Sequence, residues 1–161
     1  MTLSTLRHTA KTMVEPGQGI LAMDESTPTV GKRLKAVGVD NTEDNRVAYR
    51  TILLGTPGLG DYISGAILYD ETIRQSTTDG EPFPELMQRQ GIMPGIKVDT
   101  GAKDLALSGG EKVTEGLDGL RDRLAEYVGF GARFCKGRAV IAIAEDKPSR
   151  ACLEANAHAL A

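Results

Sequence analysis

The chain has 161 residues, of which 40% are hydrophobic and 25% charged, and it carries a net charge of −3. This is an ordinary globular composition with enough apolar residues for one core. It excludes nucleic-acid or anionic-membrane binding through bulk charge, so any cationic site is local. There is no run of about 18 apolar residues to span a membrane. Residues 1–19 lack the apolar block and cleavage site of a secretory signal, so a cytoplasmic protein is expected. Cys135 and Cys152 are the only cysteines, His8 and His158 stand alone, and no metal-ligand cluster is apparent.

In chain order, GILAMDES (19–26) is the first strand candidate, with Asp24 on the face of Ile20 and Ala22. VGKRLKAVG (30–38) fits a short helix closed by Gly38. Its Lys32 and Arg33 read either as a phosphate clamp or as a solvated helix face. TEDNRVAYRTILLG (42–55) opens on a Thr42 cap, has acids in its first turn and stops at Gly55. YISGAILYDET (62–72) is the second strand, and its terminal Asp70-Glu71 is either an acid–base pair or a helix cap. PGIKVD (94–99) is the third, with Lys97 and Asp99 on one face and Ile96 and Val98 on the other. In LSGGEKVTEG (107–116), Gly109-Gly110 either cradles a phosphate or makes a turn. LDGLRDRLAEY (117–127) carries an amphipathic stripe of Leu117, Leu120, Leu124 and Tyr127. ARFCKGRAVIAI (132–143) is the fourth strand, with Phe134, Lys136, Arg138 and Val140 on one face. Ser149 caps a last helix over 150–161.

The strand starts lie roughly 30–45 residues apart, the length of a βα unit. Strands alternating with helices imply a parallel sheet, as a barrel or a doubly wound layer. Asp24, Lys97, Lys136 and Arg138 then fall at or past the middle of their strands. Ions in a dry core need partners or a wet cavity. A closed barrel offers that cavity at the C-terminal ends of its strands. Each residue alone fits a surface or edge position; together they suit an anionic substrate.

GILAMDEST (19–27), SGAILYDET (64–72), PGIKVDTG (94–101), GEKVTEGLDGL (110–120), GARFCKGRAV (131–140) and EANAHALA (154–161) closely resemble class I fructose-bisphosphate aldolase, its bacterial branch most. The resemblance runs from about residue 4 to the end of the sequence. It implies an α/β fold of the (β/α)8 TIM-barrel family, with residues 1–161 supplying roughly strands 1–4 and their helices. It also implies cleavage of fructose 1,6-bisphosphate to dihydroxyacetone phosphate and glyceraldehyde 3-phosphate, with no metal and no cofactor. In that chemistry a lysine forms a Schiff base with the substrate ketone, and the iminium takes up the electrons of the breaking carbon–carbon bond.

Carried over, Asp24 matches the first-strand aspartate beside the Schiff-base lysine, Lys97 the third-strand lysine, and Lys136 and Arg138 the fourth-strand pair. The resemblance gives Lys136 a part in carbinolamine chemistry and in handling the hydroxyl beside the scissile bond. It gives Arg138 and Arg33 a part in holding phosphate, with Lys32 beside Arg33. A nearby lysine also disfavours protonation of the Schiff-base amine. The partners implied are a phosphorylated sugar and further copies of the chain, with neither nucleic acid nor membrane.

Two departures qualify the match. Gly137 stands where the family usually has Trp, facing the helical shell by alternation. Losing an indole there is expected to leave a void, at about 3–5 kcal/mol, and to loosen the aim of Lys136 and Arg138. On that reasoning Gly137→Trp raises the melting temperature. Second, the sequence stops at Ala161, whereas barrels run to about 250 residues. By family position none of Lys97, Lys112, Lys136 or Lys147 is the Schiff-base lysine, so the 161-residue chain is expected to need its missing half or to self-associate through open strand edges. A non-catalytic remnant that binds phosphate compounds or a partner chain is the alternative, and a different Schiff-base barrel a weaker third.

Overall fold

The computed structural model describes residues 3–161. In chain order its elements are α1 (Leu3–Met13), β1 (Gly19–Ala22), α2 (Thr27–Ala36), α3 (Glu43–Leu54), β2 (Ile63–Leu68), α4 (Asp70–Arg74), α5 (Phe83–Arg89), β3 (Met93–Lys97), β4 (Gly101–Asp104), β5 (Lys112–Glu115), α6 (Leu120–Gly129), β6 (Phe134–Lys136) and α7 (Arg150–Leu160). They divide into two compact units, residues 1–97 with 126–135, and residues 98–125 with 136–161. One four-stranded sheet has the order β1-β2-β3-β6, and β4 and β5 pair separately.

In the first unit β1, β2 and β3 are parallel. Ile20 lies opposite Gly65, Ala22 opposite Ile67, Gly65 opposite Met93, and Ile67 opposite Gly95. Side chains on paired positions of parallel strands share a face. One face therefore carries Ile20, Ala22, Ile67, Met93 and Lys97. The other carries Ala66, Leu68, Pro94 and Ile96, all buried, beneath helices that add Val30, Leu34, Leu54, Ile73, Phe83, Leu86 and Met87 to the core. The first face is more open: Ile20 is 41% exposed and Ala22 is also exposed. Over it lies the Phe134 ring, so close that a Cβ on Gly95 would come within 2.3 Å of a ring carbon, and one on Gly65 within 3.0 Å. Both glycines are where a neighbouring ring leaves no room for a methyl group.

Helix ends follow local chemistry. The Thr42 hydroxyl accepts the Asn45 N–H at 3.2 Å to start α3, and Gly55 follows its last residue. Ser149 accepts the Cys152 N–H at 3.2 Å to start α7. Pro28 lies in the first turn of α2, where a missing N–H goes unnoticed. α1 and α5 were not among the expected helices. α1 does carry an apolar stripe, Leu3, Leu6, Ala10 and Met13 at spacings of three, four and three, although none of its residues is buried.

In the second unit β4 and β5 form an antiparallel ladder from Gly101 opposite Glu115 to Asp104 opposite Lys112. No hairpin is expected here from the sequence. Its strands, GAKD and KVTE, lack apolar alternation, and the connection 105–111 is longer than a tight turn. α7 packs on β5, with Asn156 Nδ2 donating to the Lys112 carbonyl at 2.9 Å.

Three expectations are corrected. The fourth strand was expected over 132–143 but is confined to Phe134–Lys136. Val140 is 41% and Ile143 87% exposed, and among the described residues no strand pairs with 137–143. Without a ladder partner the backbone there stays with water, whatever the β-propensity of its side chains. The first strand ends at Ala22, so Asp24 follows it in irregular chain. Leu117 lies ahead of α6 at 47% exposure, whereas Tyr127, from the same expected stripe, is buried.

Candidate functional site

In the first unit the candidate residues gather at the C-terminal ends of β1 and β3. Lys97 is the last residue of β3, on the open face of the sheet. Asp24 lies two residues beyond Ala22, which ends β1 on that same face. Parallel strands put both ends at one edge, with β2 between them, so their backbones stand about 10 Å apart.

The chain just after Asp24 is held by a charge cluster that the sequence did not disclose. The Glu25 carboxylate pairs with Arg33 at 2.9 Å and with Arg50, whose guanidinium also donates to the Glu25 carbonyl at 2.9 Å. The Glu25 side chain is 9% exposed and that of Arg50 only 3%. Burial alone would raise the Glu25 pKa; the hydrogen bond from Arg50 and the charges of Arg50 and Arg33 outweigh it and hold the carboxyl below its ordinary value. A signal did exist. Arg46 and Arg50 are one helical turn apart on α3, and they reach Glu71 and Glu25 respectively. Nothing in the spacing identifies those acids as their partners.

Arg33 is therefore an ion-paired residue of α2, with a second donated bond to the Tyr49 hydroxyl at 3.2 Å. Its side chain remains 58% exposed, leaving donors within reach of an anion. Lys32, next to it, is exposed and lines a shallow cavity of about 370 Å3 with Lys35 and Asp40. Asp70 and Glu71 form the first turn of α4. There Asp70 pairs with Arg74 at 2.9 Å and accepts from the Tyr127 hydroxyl at 2.8 Å, while Glu71 pairs with Arg46 at 2.5 Å. The helix-start reading of that pair holds, and both carboxylates are engaged in ion pairs.

In the second unit Lys136 closes β6 and is partly buried, and its carbonyl accepts the Val98 N–H at 3.1 Å. Arg138 was expected on the same strand. It lies past its end, and its Nε stands 3.6 Å from Oδ1 of Asp99, a carboxylate 2% exposed against 49% for the arginine. A buried acid under a half-exposed guanidinium anchors the cation while leaving its fork open. Gly137, between the two cations, adjoins Leu160 of α7. A Cβ at 137 would meet Leu160 Cδ2 at 3.0 Å, and the cavity that both line measures about 30 Å3. Gly137 is itself exposed and Leu160 Cδ2 is the one atom within 4 Å of such a Cβ, so the enclosed, indole-sized void expected there is not seen. Gly109-Gly110 sits in the hairpin connection, and the Gly109 carbonyl accepts from Lys147 Nζ at 2.6 Å, which favours the turn reading.

Comparison with known proteins places these residues in context. A family model described as fructose-bisphosphate aldolase class-I matches residues 5–161. A probable fructose-bisphosphate aldolase class 1 of Xanthomonas campestris pv. campestris is 64% identical over 161 residues, all of this chain and 48% of that protein. Fructose-bisphosphate aldolase 3, chloroplastic, of Arabidopsis thaliana is 58% identical over 135 residues, 84% of this chain and 34% of its own. Among solved structures, the fructose-bisphosphate aldolase of Plasmodium falciparum, crystallised with TRAP and a small-molecule inhibitor, matches with a TM-score of 0.92 at 45% identity. That match covers 94% of this chain and 44% of the Plasmodium chain. This chain thus spans about half the length of the curated bacterial relatives it matches.

Proposed function

Because the chain belongs to the class I fructose-bisphosphate aldolase family and has the α/β fold of its TIM-barrel structures, we propose that it serves the metal-independent cleavage of fructose 1,6-bisphosphate to dihydroxyacetone phosphate and glyceraldehyde 3-phosphate. In this reading β1, β2, β3 and β6 are the first four strands of the barrel. The observation that carries the proposal is Lys97 on the open sheet face at the strands' C-terminal edge, with Asp24 following β1 at that same edge. Barrel enzymes build their sites at that edge.

The assigned roles follow from charge. Asp24 stands beside the Schiff-base lysine and, as a carboxylate, favours the iminium over the neutral imine. Lys136 moves protons at the carbinolamine and at the hydroxyl beside the scissile bond. Lys97 faces the substrate from the neighbouring strand end. Arg33 and Arg138 are each steered by a shielded acid, Glu25 and Asp99, and hold phosphate through donors left at the surface. Lys32 adds positive charge beside Arg33. The reading includes a cytoplasmic location and association with further copies of the chain.

No lysine of these 161 residues is assigned the Schiff base. Borohydride trapping with dihydroxyacetone phosphate, followed by intact mass and peptide mapping, tests the assignment. The chain is expected to stay unmodified. An adduct on Lys97 or Lys136 would make that residue the nucleophile and overturn the roles given above.

A further inference from the structure

The first unit contains a groove that the aldolase reading leaves unused. It lies beside the N-terminal end of β3, at the opposite end of that strand from Lys97, and measures about 400 Å3. One wall is α1, presenting His8, Thr9 and Thr12; the other includes Gln88, Gly131 and Arg133. Among the described residues no carboxylate lines it.

Arg133 differs from most arginines of its unit. Arg33, Arg46, Arg50, Arg74 and Arg89 each pair with a carboxylate. Arg133 has no side-chain hydrogen bond or ion pair among the described residues, and the other such arginine, Arg7, is not in the groove lining. Its backbone is nonetheless fixed, since its N–H donates to the Pro94 carbonyl at 2.8 Å. The adjoining wall is shaped by Gly131. With φ at +98° it needs glycine, and a Cβ there would stand 2.4 Å from Gln88 Nε2, so the absent side chain is what admits the amide.

A planar guanidinium with all its donors unspent, across from hydroxyls and an imidazole and with no acid to compete, is complementary to a phosphate's oxygens. The volume lies at the small end of the range for small-molecule sites, about 300–1,000 Å3. We propose that this groove binds the phosphate group of a small phosphorylated metabolite, with Arg133 as the bidentate donor and His8, Thr9 and Thr12 closing from α1. The site stands apart from Asp24 and Lys97 and does not depend on the aldolase reading.

The test is a titration of the isotope-labelled 161-residue chain with glycerol 3-phosphate and, separately, inorganic phosphate, at low salt, followed by amide chemical shifts. The expected result is saturable shifts at Gly91, Gly131 and Arg133 with glycerol 3-phosphate binding at least as tightly as inorganic phosphate. Arg133→Gln is expected to weaken this binding about tenfold, and His8→Gln by a smaller factor. Arg33→Gln combined with Arg138→Gln should leave these shifts unchanged, which separates the groove from the proposed substrate site. Arg133 is exposed, so its variant should otherwise keep the parent spectrum. Absence of saturable shifts in the groove, or shifts that persist in both Arg133→Gln and His8→Gln, would overturn the proposal. Binding of inorganic phosphate but not glycerol 3-phosphate would overturn its metabolite part.

Discussion

Replacing Arg50 with Met removes a cation whose side chain is 3% exposed and leaves the shielded Glu25 carboxylate with Arg33 alone. Arg33 is 58% exposed, so its pairing resembles a surface ion pair, worth about 0–1 kcal/mol. Breaking a buried pair from one side typically costs about 3–5 kcal/mol, because the remaining charge stays desolvated. For a chain of this size each kcal/mol moves the melting temperature by about 2–4 °C, giving an expected fall of about 6–20 °C. Urea denaturation followed by circular dichroism measures the loss, and the double variant Glu25→Gln/Arg50→Met separates charge from packing. With both charges gone, the double variant should be more stable than the sum of the single losses implies, by about 0.5–3 kcal/mol. The pH dependence has a definite sign. Glu25 titrates below its ordinary 4.5 in the folded chain, so its contribution is complete above that pH and is lost as pH falls through the folded value. Arg50→Met should flatten that acid limb. A single-variant loss under about 1 kcal/mol, or strict additivity in the double variant, would refute the reasoning.

Gly95→Ala forces a Cβ to within 2.3 Å of the Phe134 ring and should destabilise the chain by about 1–3 kcal/mol, with Phe134→Leu in the same chain recovering part; a neutral Gly95→Ala in thermal melts would contradict the close approach. Gly137→Trp should not raise the melting temperature. Filling a cavity of about 30 Å3 returns only about 0.7 kcal/mol, while the indole must displace Leu160; a clear thermal gain would restore the void hypothesis. Glu111 is 2% exposed, and hydrogen bonds from Ser149, whose N–H lies at 2.8 Å, lower its pKa. Its stabilisation of the α7 start is therefore present above the ordinary carboxylate range and lost as pH falls below it, and Glu111→Gln should reduce the acid sensitivity of α7 amide exchange.

Features set by neighbours in sequence were legible. Thr42 and Ser149 could be read as caps because a cap needs only its own hydroxyl and an N–H three residues on. β2 and β3 could be read because their buried face is apolar and turn residues bound them. Features set by distant partners were not. The segment 137–143 has the composition of a buried strand, but a strand exists only where another strand hydrogen-bonds to it. The β4–β5 hairpin was hidden by short, charged strands. The Glu25–Arg50 pair joins residues 25 positions apart, and neither spacing nor composition distinguishes it from other acid–base pairs. Of the candidate site, Lys97 falls on its anticipated face because the register of β2 and β3 keeps the period of two to the strand's end. Arg138 does not share the strand of Lys136, because β6 ends before it.

A chimera measures directly whether this chain supplies working aldolase groups. The Xanthomonas campestris relative aligns with all 161 residues at 64% identity, so this chain can replace the matching segment of that protein. The chimera is expected to cleave fructose 1,6-bisphosphate, and Lys136→Met to lower its kcat by about 10²–10⁴, the usual scale for removing a positioned proton-transfer group. A correctly folded chimera without cleavage, or one whose kcat is indifferent to Lys136→Met, would contradict that expectation.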